Sequence, residues 1–202
     1  MTITQVKDSA EGSELAAKVF MNLHATSPTQ PLGLATGQTM TIFYHKLADH
    51  GFRPTCPDVF LLDEYLELPD GHPNTFEQEI QRQFSEPLCY SGQVHVPGRG
   101  AYAGSDGLRL FEESLKESGP VRAQLLGVGT NGHVAFNEPG SKPDSITREV
   151  DLFDETIESN KRHFTSPAEM PHRAVTQGLG TILQAEALIV LAFGPAKKGA
   201  LL

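Results

Sequence analysis

The sequence predicts an α/β fold built on a doubly wound, mainly parallel sheet with helices on both faces. One pattern and one general rule support this prediction. Short apolar runs, which suit strands buried on both faces, alternate along the chain with segments that have the apolar spacing of helices. Strands that are separated by helices tend to pair in parallel, and ligands then bind beyond the carboxyl ends of the strands.

Each predicted element follows from a local pattern, taken in chain order. Apolar residues at helical spacing predict helices over residues 14–23, 38–49, 76–84 and 107–118. Apolar runs such as PLGLA, VFLL, AQLLG and ALIVLAF predict strands over residues 31–35, 59–62, 123–127, 174–176 and 187–193. No repeat or linker divides them, so residues 1–202 are expected to form a single Rossmann-like domain. A final helix that begins near Gly194 stops shortly afterwards at Leu202, and we therefore expect the C-terminus to be incomplete.

Composition and charge argue against several classes of function. No apolar stretch approaches the roughly 20 residues of a membrane span, and the N-terminus lacks the pattern of a secretory signal. The two cysteines, Cys56 and Cys89, are too few for a disulfide framework, so a cytoplasmic protein is expected. A net charge of −9 argues against a nucleic-acid partner. The eight histidines are scattered without metal-ligand spacing, and we expect neither a metal nor a cofactor.

Residues Thr36, Gly37, Gln38 and Thr39 join the first predicted strand to the next helix. Glycine permits a tight turn, and the free N–H groups at a helix N-terminus attract an anion. An ordinary capped turn would explain the same residues. Lys197 lies at the start of the last predicted helix, where the helix dipole disfavours a cation. This position indicates an anion between the lysine and the N–H groups, and an exposed lysine at small energetic cost is the alternative.

Asp63 and Glu64 come directly after the predicted strand over residues 59–62. A carboxylate at the exit of a buried strand can act as a general base, or it can cap the segment that follows. From the sequence alone, both interpretations of Asp63 stay open.

The strand over residues 123–127 leads into a glycine-rich loop, GVGTNGHVAFNEPG. Its glycines match the dinucleotide-binding pattern G-x-G-x-x-G, but prolines soon afterwards prevent the helix which that pattern requires. We instead predict a loop that presents His133, with Asn131 and Glu138 nearby to orient it for acid–base work. A loop histidine with purely structural hydrogen bonds is the alternative.

Five segments carry a more specific combined pattern. They are LGLATGQT (32–39), LLDEYLELP (61–69), GVGTNGHVAFNEPGS (127–141), SNKRHF (159–164), and AVTQGLGTIL with the strand after it (174–193). In this order they resemble the glucosamine-6-phosphate deaminase family, within a wider group that includes the 6-phosphogluconolactonases. The lactonases share the Gly-x-Gly-x-x-Gly-His pattern, so the Asn-Glu-Pro that follows it here favours the deaminases.

The resemblance implies a role for each candidate residue. Asp63 would move a proton between C2 and C1 of the opened sugar, and His133 would relay a proton at the ring oxygen. Glu138 would orient His133 and tune its charge. The phosphate would be held by Thr36, Gly37, Gln38, Thr39, Arg162 and Lys197. The implied reaction converts glucosamine 6-phosphate and water to fructose 6-phosphate and ammonia without a cofactor.

Two departures from the family pattern matter. Many relatives have Asp where this chain has Asn131, so we expect His133 to be less biased toward its protonated form. Allosterically regulated relatives carry Arg-x-Lys-Thr where residues 148–151 here read REVD. Only the arginine survives and Asp151 would repel a phosphate, so we expect no activation by N-acetylglucosamine 6-phosphate.

Three other functions compete with this interpretation. The first is deamination of galactosamine 6-phosphate, although Tyr65, Phe136 and Arg162 favour the gluco substrate. The second is hydrolysis of a sugar lactone, in which His133 would activate water and Asp63 would have no isomerising role. The third is a non-catalytic regulator that binds a sugar phosphate. The sequence leaves the oligomeric state open.

Overall fold

Two sheets and six helices make up the computed structural model, which describes residues 1–164, 166 and 169–200. The strands are β1 (Leu32–Leu34), β2 (Asp58–Leu61), β3 (Asp63–Tyr65), β4 (Gln93–His95), β5 (Ala123–Gly127), β6 (Arg148–Asp151), β7 (Arg173–Thr176) and β8 (Leu188–Leu191). The helices are α1 (Ser9–Thr26), α2 (Gln38–Asp49), α3 (Phe76–Ile80), α4 (Gly104–Glu117), α5 (Asp154–Asn160) and α6 (Leu179–Ile182). A π-helical segment, Gln81–Ser85, continues α3, and 3-10 segments cover Gly100–Tyr102, Lys161–His163 and Pro195–Ala200.

The larger sheet confirms the predicted fold class. Its five strands have the order β4-β2-β1-β5-β8, and every neighbouring pair is parallel. Strand β1 pairs with β2 on one side and with β5 on the other, so the strand order reverses between β1 and β5. Ligands in open parallel sheets bind in the crevice beyond the carboxyl ends at such a switch point. That crevice lies between the turn after β1 and the glycine-rich loop after β5.

Helices cover both faces of this sheet. Val59 and Leu61 of β2 belong to a buried cluster with residues of α1 and α2. Phe20 of α1 and Phe43 of α2 meet there edge to face, with their ring centroids 5.4 Å apart. The intervening Phe60 points to the other face, where it contacts Phe111 of α4 at 5.7 Å. The alternation of side chains along β2 thus gives each face a helical layer.

The smaller sheet is antiparallel, with the order β3-β7-β6. The strand predicted over residues 174–176 is present as β7, but it belongs to this sheet and pairs with β3 directly after β2. Asp63 of β3 lies opposite Thr176 of β7, and Arg148 of β6 lies opposite Thr176 on the other side. The second sheet therefore fixes the position of Asp63 at the carboxyl edge of the first sheet.

A second apolar cluster surrounds Tyr65 of β3. The Tyr65 ring lies 4.9 Å from Phe76, 5.5 Å from Phe136 and 5.8 Å from Phe164, measured between centroids. These rings come from α3, from the glycine-rich loop and from the segment after α5. The cluster packs all three segments around the strand that carries Asp63. None of the described helices is long and apolar enough to cross a membrane.

Candidate active site

A cleft of about 660 Å³ opens at the carboxyl ends of β1, β2 and β5. Eight of the ten predicted site residues line it: Thr36, Gly37, Gln38, Thr39, Asp63, His133, Arg162 and Lys197. The other two, Asn131 and Glu138, do not line the cleft and lie behind the His133 imidazole. Residues that are far apart in the sequence therefore meet at the switch point of the parallel sheet.

Asp63 is a buried carboxyl group in the wall of this cleft, with 8% of its surface exposed. Among the described residues, none donates a hydrogen bond to its carboxylate. Burial raises the pKa of Asp63 well above its ordinary value, and the charges of Glu64 and Glu79 raise it further. A carboxylate with a raised pKa is a stronger base, which suits the removal of a proton from carbon.

Glu64, the next residue, is held differently. Its Oε1 accepts hydrogen bonds from the N–H groups of Tyr65 at 2.8 Å and Phe76 at 3.0 Å, and its Oε2 accepts one from Glu77 at 2.9 Å. The last two donors belong to the first turn of α3, so Glu64 caps that helix. The capping role that the sequence left open for Asp63 is filled by Glu64, and the Asp63 carboxylate stays free of such bonds.

The glycine-rich loop is shaped around the His133 ring. A Cβ atom on Gly129 would lie 2.4 Å from Cε1 of His133, so the ring packs directly on the glycine backbone. The backbone of Gly129 also donates to the carbonyl of His133 at 2.8 Å. Gly132 adopts a φ of +91°, a conformation that residues with side chains rarely adopt. The glycines therefore make room for the His133 imidazole. This arrangement agrees with the interpretation that the loop is not a dinucleotide-binding loop.

His133 faces one carboxylate and one cation. Its Nδ1 atom lies 3.5 Å from Oε2 of Glu138, which permits a charge contact but lies outside hydrogen-bonding geometry. Burial lowers the pKa of His133; the charge of Glu138 opposes this effect, and the charge of Lys197 adds to it. The net lowering of the pKa of His133 favours the neutral imidazole. The effect of Asn131 in place of an aspartate stays a prediction.

Glu138 is held on both of its oxygens. Asn131 donates from Nδ2 to Oε2 at 2.8 Å, and the hydroxyl of Thr156 donates to Oε1. The Oδ1 atom of Asn131 in turn accepts the N–H of His133 at 3.2 Å. Asn131 thus links the backbone of His133 to the carboxylate behind its ring.

The other end of the cleft is formed by the turn before α2. Gly37 is the N-cap of this helix and has a φ of +96°. Because glycine has no side chain, it cannot cap the free N–H groups of the first turn. Its N–H donates to Oε1 of Glu79 at 2.8 Å, so a carboxylate occupies a donor of the predicted phosphate turn. Glu79 lies on α3, and no local pattern indicates this contact because the two residues are 42 positions apart.

Two cations converge on the same end of the cleft. Within the described part of the chain, neither Arg162 nor Lys197 forms an ion pair with a carboxylate. Arg162 contacts Oε1 of Gln38 at 3.5 Å. Burial lowers the pKa of Lys197, and the nearby charge of Arg162 lowers it further. Lys197 lies in a 3-10 segment rather than in the α-helix predicted for it. Two neighbouring cations that form no ion pair within the described residues are a suitable site for an anion.

Two contacts of the site were missed by sequence reasoning. Tyr65 and Asn160 both line the cleft, and Nδ2 of Asn160 lies 3.1 Å from the Tyr65 hydroxyl. Thr156, on the same helix as Asn160, contacts Glu138 as described above. Nothing in the local pattern of α5 indicates these contacts, because they depend on how the helix docks. Among the described residues, no group of three His, Cys, Asp or Glu side chains could hold a metal ion.

Comparison with known proteins points to one family. The sequence model of the family described as glucosamine-6-phosphate isomerases/6-phosphogluconolactonase matches residues 8–202. The glucosamine-6-phosphate deaminase of Pseudarthrobacter chlorophenolicus is 40% identical over 188 residues, which cover 91% of this chain and 73% of the relative. The corresponding protein of Arthrobacter sp. is 37% identical over 202 residues, which cover 98% of this chain and 78% of the relative.

Solved structures show the same relationship. A monomeric glucosamine-6-phosphate deaminase of the NagB superfamily matches with a TM-score of 0.93 at 30% identity, covering 100% of this chain and 86% of that one. A 6-phosphogluconolactonase from Trypanosoma brucei matches with a TM-score of 0.71 at 20% identity, covering 99% and 84%. The second likeness concerns the fold alone.

Proposed function

The chain belongs to the family of glucosamine-6-phosphate isomerases and 6-phosphogluconolactonases, and on this premise we propose that it deaminates glucosamine 6-phosphate. The products would be fructose 6-phosphate and ammonia. The observation that carries the proposal is the cleft itself, which is lined by Asp63 and His133 and also by two cations that have no carboxylate partner among the described residues. A base, a proton relay and an anion site are what this reaction requires.

Ring opening comes first and is assigned to His133. The Glu138 carboxylate beside Nδ1 favours the tautomer with its proton on Nδ1, and Nε2 is then free to accept a proton. Nε2 would take the proton of the C1 hydroxyl and return it to the ring oxygen, which gives the open-chain aldehyde. The lowered pKa of His133 supports this role, because a neutral imidazole is needed to accept the proton.

Isomerisation follows and is assigned to Asp63. Its carboxylate would remove the proton from C2 and deliver it to C1. A proton would also pass from the C2 amino group to the aldehyde oxygen, which becomes the C1 hydroxyl, so that the amino aldehyde is converted into the 2-imine of the ketose. Water then adds to the imine carbon, and ammonia leaves. The burial of Asp63 supports this assignment, because a poorly solvated carboxylate with a raised pKa is a strong base.

The phosphate is assigned to Arg162, Lys197 and the turn of residues 36–39. Anchoring the substrate at this end orients C1 and C2 toward the acid–base groups, an effect that contributes to catalysis by removing rotational freedom. The N–H groups at the start of α2 and the two cations support this assignment.

One assay tests the proposal against its competitors. The purified protein is incubated in parallel with glucosamine 6-phosphate, galactosamine 6-phosphate and 6-phosphogluconolactone, and the release of ammonia and of acid is followed. We expect ammonia and fructose 6-phosphate in equal amounts from the gluco substrate, at a rate well above that with the galacto substrate. Acid release from the lactone without ammonia from either amino sugar would refute the proposal.

We also propose that the reaction takes place in the cytoplasm. Support comes from the thiols of Cys56, which is buried, and Cys89, which is exposed, because both are free. Fractionation of the source cells, followed by assay of ammonia release from glucosamine 6-phosphate, tests this. Activity confined to the extracellular or membrane fraction would contradict it.

A further inference from the structure

Helix α5 touches both working ends of the cleft. Thr156, only 3% exposed, donates its hydroxyl hydrogen bond to Oε1 of Glu138. One turn later Asn160 lines the cleft and contacts the hydroxyl of Tyr65 at 3.1 Å. The 3-10 segment that follows directly carries Arg162, one of the two cations. A seven-residue helix thus connects the carboxylate behind His133 to the anion site.

Among the described donors, the Thr156 hydroxyl alone restricts rotation of the Glu138 carboxylate about its bond to Asn131. Asn131 holds Oε2 of Glu138, the oxygen nearest to His133, and a carboxylate held at one oxygen can still rotate about that bond. The bond from Thr156 to Oε1 removes this rotation. The charge contact of 3.5 Å between Glu138 and Nδ1 of His133 depends on that orientation.

We propose that Thr156 is a positioning residue for the deamination, because its hydroxyl keeps the Glu138 carboxylate oriented toward His133. The same bond connects Glu138 to the helix that precedes Arg162. The proposal rests on the proposed function. It assigns Thr156 no contact with the substrate, since Thr156 does not line the cleft. Its effect reaches the reaction through Glu138 and the imidazole.

A second threonine in the chain makes the same kind of bond away from the cleft. The hydroxyl of Thr181, which is 8% exposed, donates to Oε1 of Glu112 at 2.7 Å. Glu112 also accepts the N–H of Thr147 at 2.7 Å, and none of these residues lines the cleft. Thr181 is therefore a matched control, because its loss removes the same bond to a carboxylate without disturbing His133.

The direction of the effect on His133 follows from its surroundings. Two charged groups act on the imidazole: Glu138 from the glycine-rich loop raises its pKa, and Lys197 from the segment after β8 lowers it. Burial also lowers the pKa. When Glu138 is released from Thr156, the favourable contact weakens while burial and Lys197 remain. The pKa of His133 should therefore fall.

The test compares Thr156→Val, Thr156→Ser and Thr181→Val in steady-state kinetics with glucosamine 6-phosphate between pH 5 and 9. Valine keeps the shape of threonine but has no donor, whereas serine keeps the hydroxyl. We expect Thr156→Val to lower kcat about 10- to 100-fold, because small misplacements of catalytic groups have effects of this size, while KM changes less than about 3-fold. Thr156→Ser should recover kcat to within about 3-fold of the wild type, and Thr181→Val should leave kcat unchanged.

A second measurement does not depend on turnover. The pKa of His133 is read from its imidazole proton resonances by NMR in the wild type and in each variant, with His133→Gln used for assignment. Thr156→Val should lower this pKa, and Thr181→Val should not change it. If the wild type released no ammonia, the proposed function would fail, whereas the NMR result would still decide whether Thr156 acts on His133.

Three outcomes would overturn the positioning role. In the first, Thr156→Val keeps kcat within about 2-fold of the wild type. In the second, Thr156→Val and Thr181→Val lower kcat equally, which would mean a loss of stability alone. In the third, the pKa of His133 stays the same in Thr156→Val. If the valine variant does not fold, Thr156→Ala, which is smaller and also lacks the donor, takes its place in each comparison.

Discussion

The two ends of the cleft differ in how their ionisable side chains are buried and paired. At the acid–base end Asp63 is buried, and the His133 imidazole is backed by a carboxylate that has its own hydrogen-bond donors. At the phosphate end Arg162 is exposed and Lys197 is half-buried, and neither has a carboxylate partner among the described residues. Burial thus shifts the pKa values of Asp63 and His133 at one end. At the other end, the charges of Arg162 and Lys197 are suited to bind an anion.

This difference predicts opposite kinetic signatures for mutations at the two ends. Changes at the acid–base end should act on kcat, because they alter interactions with the reacting atoms. Changes at the phosphate end should act mainly on KM, because the phosphate is bound equally in the ground state and in the transition state. Mutations therefore test whether the two ends work separately.

Asp63→Asn should have the largest effect. The amide cannot accept a proton from C2, so we expect kcat to fall by at least about 10³-fold while inorganic phosphate still inhibits the residual reaction at the wild-type concentration. The measurement is ammonia release at saturating glucosamine 6-phosphate. A variant that kept more than about a tenth of the wild-type rate would remove Asp63 from its role as the base.

The same variant should be more stable than the wild type at neutral pH. Since the fold raises the pKa of Asp63, the stability contributed by its neutral form is present at low pH and is lost as the pH rises through the folded-state pKa. Asparagine does not ionise, so its advantage should grow from pH 4 to pH 8. Each kcal/mol corresponds to roughly 2–4 °C in Tm for a chain of this size, which thermal unfolding can resolve.

Lys197→Ala should have the next largest effect, and it tests the phosphate end. We expect KM for glucosamine 6-phosphate to rise about 10- to 100-fold with kcat changed less than about 3-fold, because ground-state and transition-state anchoring are lost together. Lys198→Ala is the matched control, since Lys198 is exposed and does not line the cleft. A fall in kcat at unchanged KM would show that the two ends are not separate.

Glu79→Gln should have a smaller effect in the opposite direction. The Glu79 carboxylate takes the N–H of Gly37, so a phosphate group must compete with it and meets its charge. Two charges about 4 Å apart interact with roughly 1 kcal/mol in water and more when partly buried, so removing one should tighten phosphate binding about 5-fold or more. The measurement is inhibition by inorganic phosphate, together with KM for the substrate.

Glu77→Gln is the control for this variant. Glu77 lies two residues away on the same helix, carries the same charge, and does not line the cleft. Its substitution should leave the inhibition by phosphate unchanged. If Glu79→Gln instead weakened the binding of substrate, Glu79 would be a ligand of the sugar rather than a competitor of its phosphate.

Local patterns in the sequence were sufficient for two elements beside the site, but not for strand β3, which carries Asp63, or for helix α5. The helix predicted over residues 38–49 and the strand predicted over 123–127 have the observed bounds, because their apolar spacing agrees with how they are buried. Strand β6 was missed, since Val150 is its one apolar residue and the strand exists through its pairing with β7. The contacts of Glu79 and Thr156 were missed for the same reason, because they join segments that are distant in the sequence.

The smallest expected effect is that of N-acetylglucosamine 6-phosphate, for which we predict no activation. Arg148, the one basic residue of the stretch 148–151, already donates to Oδ1 of Asn137 at 2.9 Å. Glu149 pairs with Arg173, and Asp151 is an exposed acid on the same strand. An anionic effector would meet two carboxylates and a guanidinium that is already bound.

Initial rates at a substrate concentration below KM, measured with and without the N-acetylated sugar phosphate, test this prediction. At concentrations that do not compete in the cleft, the rate should stay within about 1.5-fold, because a ligand without preference for either conformation shifts no equilibrium. A sigmoidal rate curve that became hyperbolic on addition of the effector would contradict it. Such a result would mean that a regulatory anion site exists elsewhere on the molecule, since the residues of β6 leave no free cation to form it.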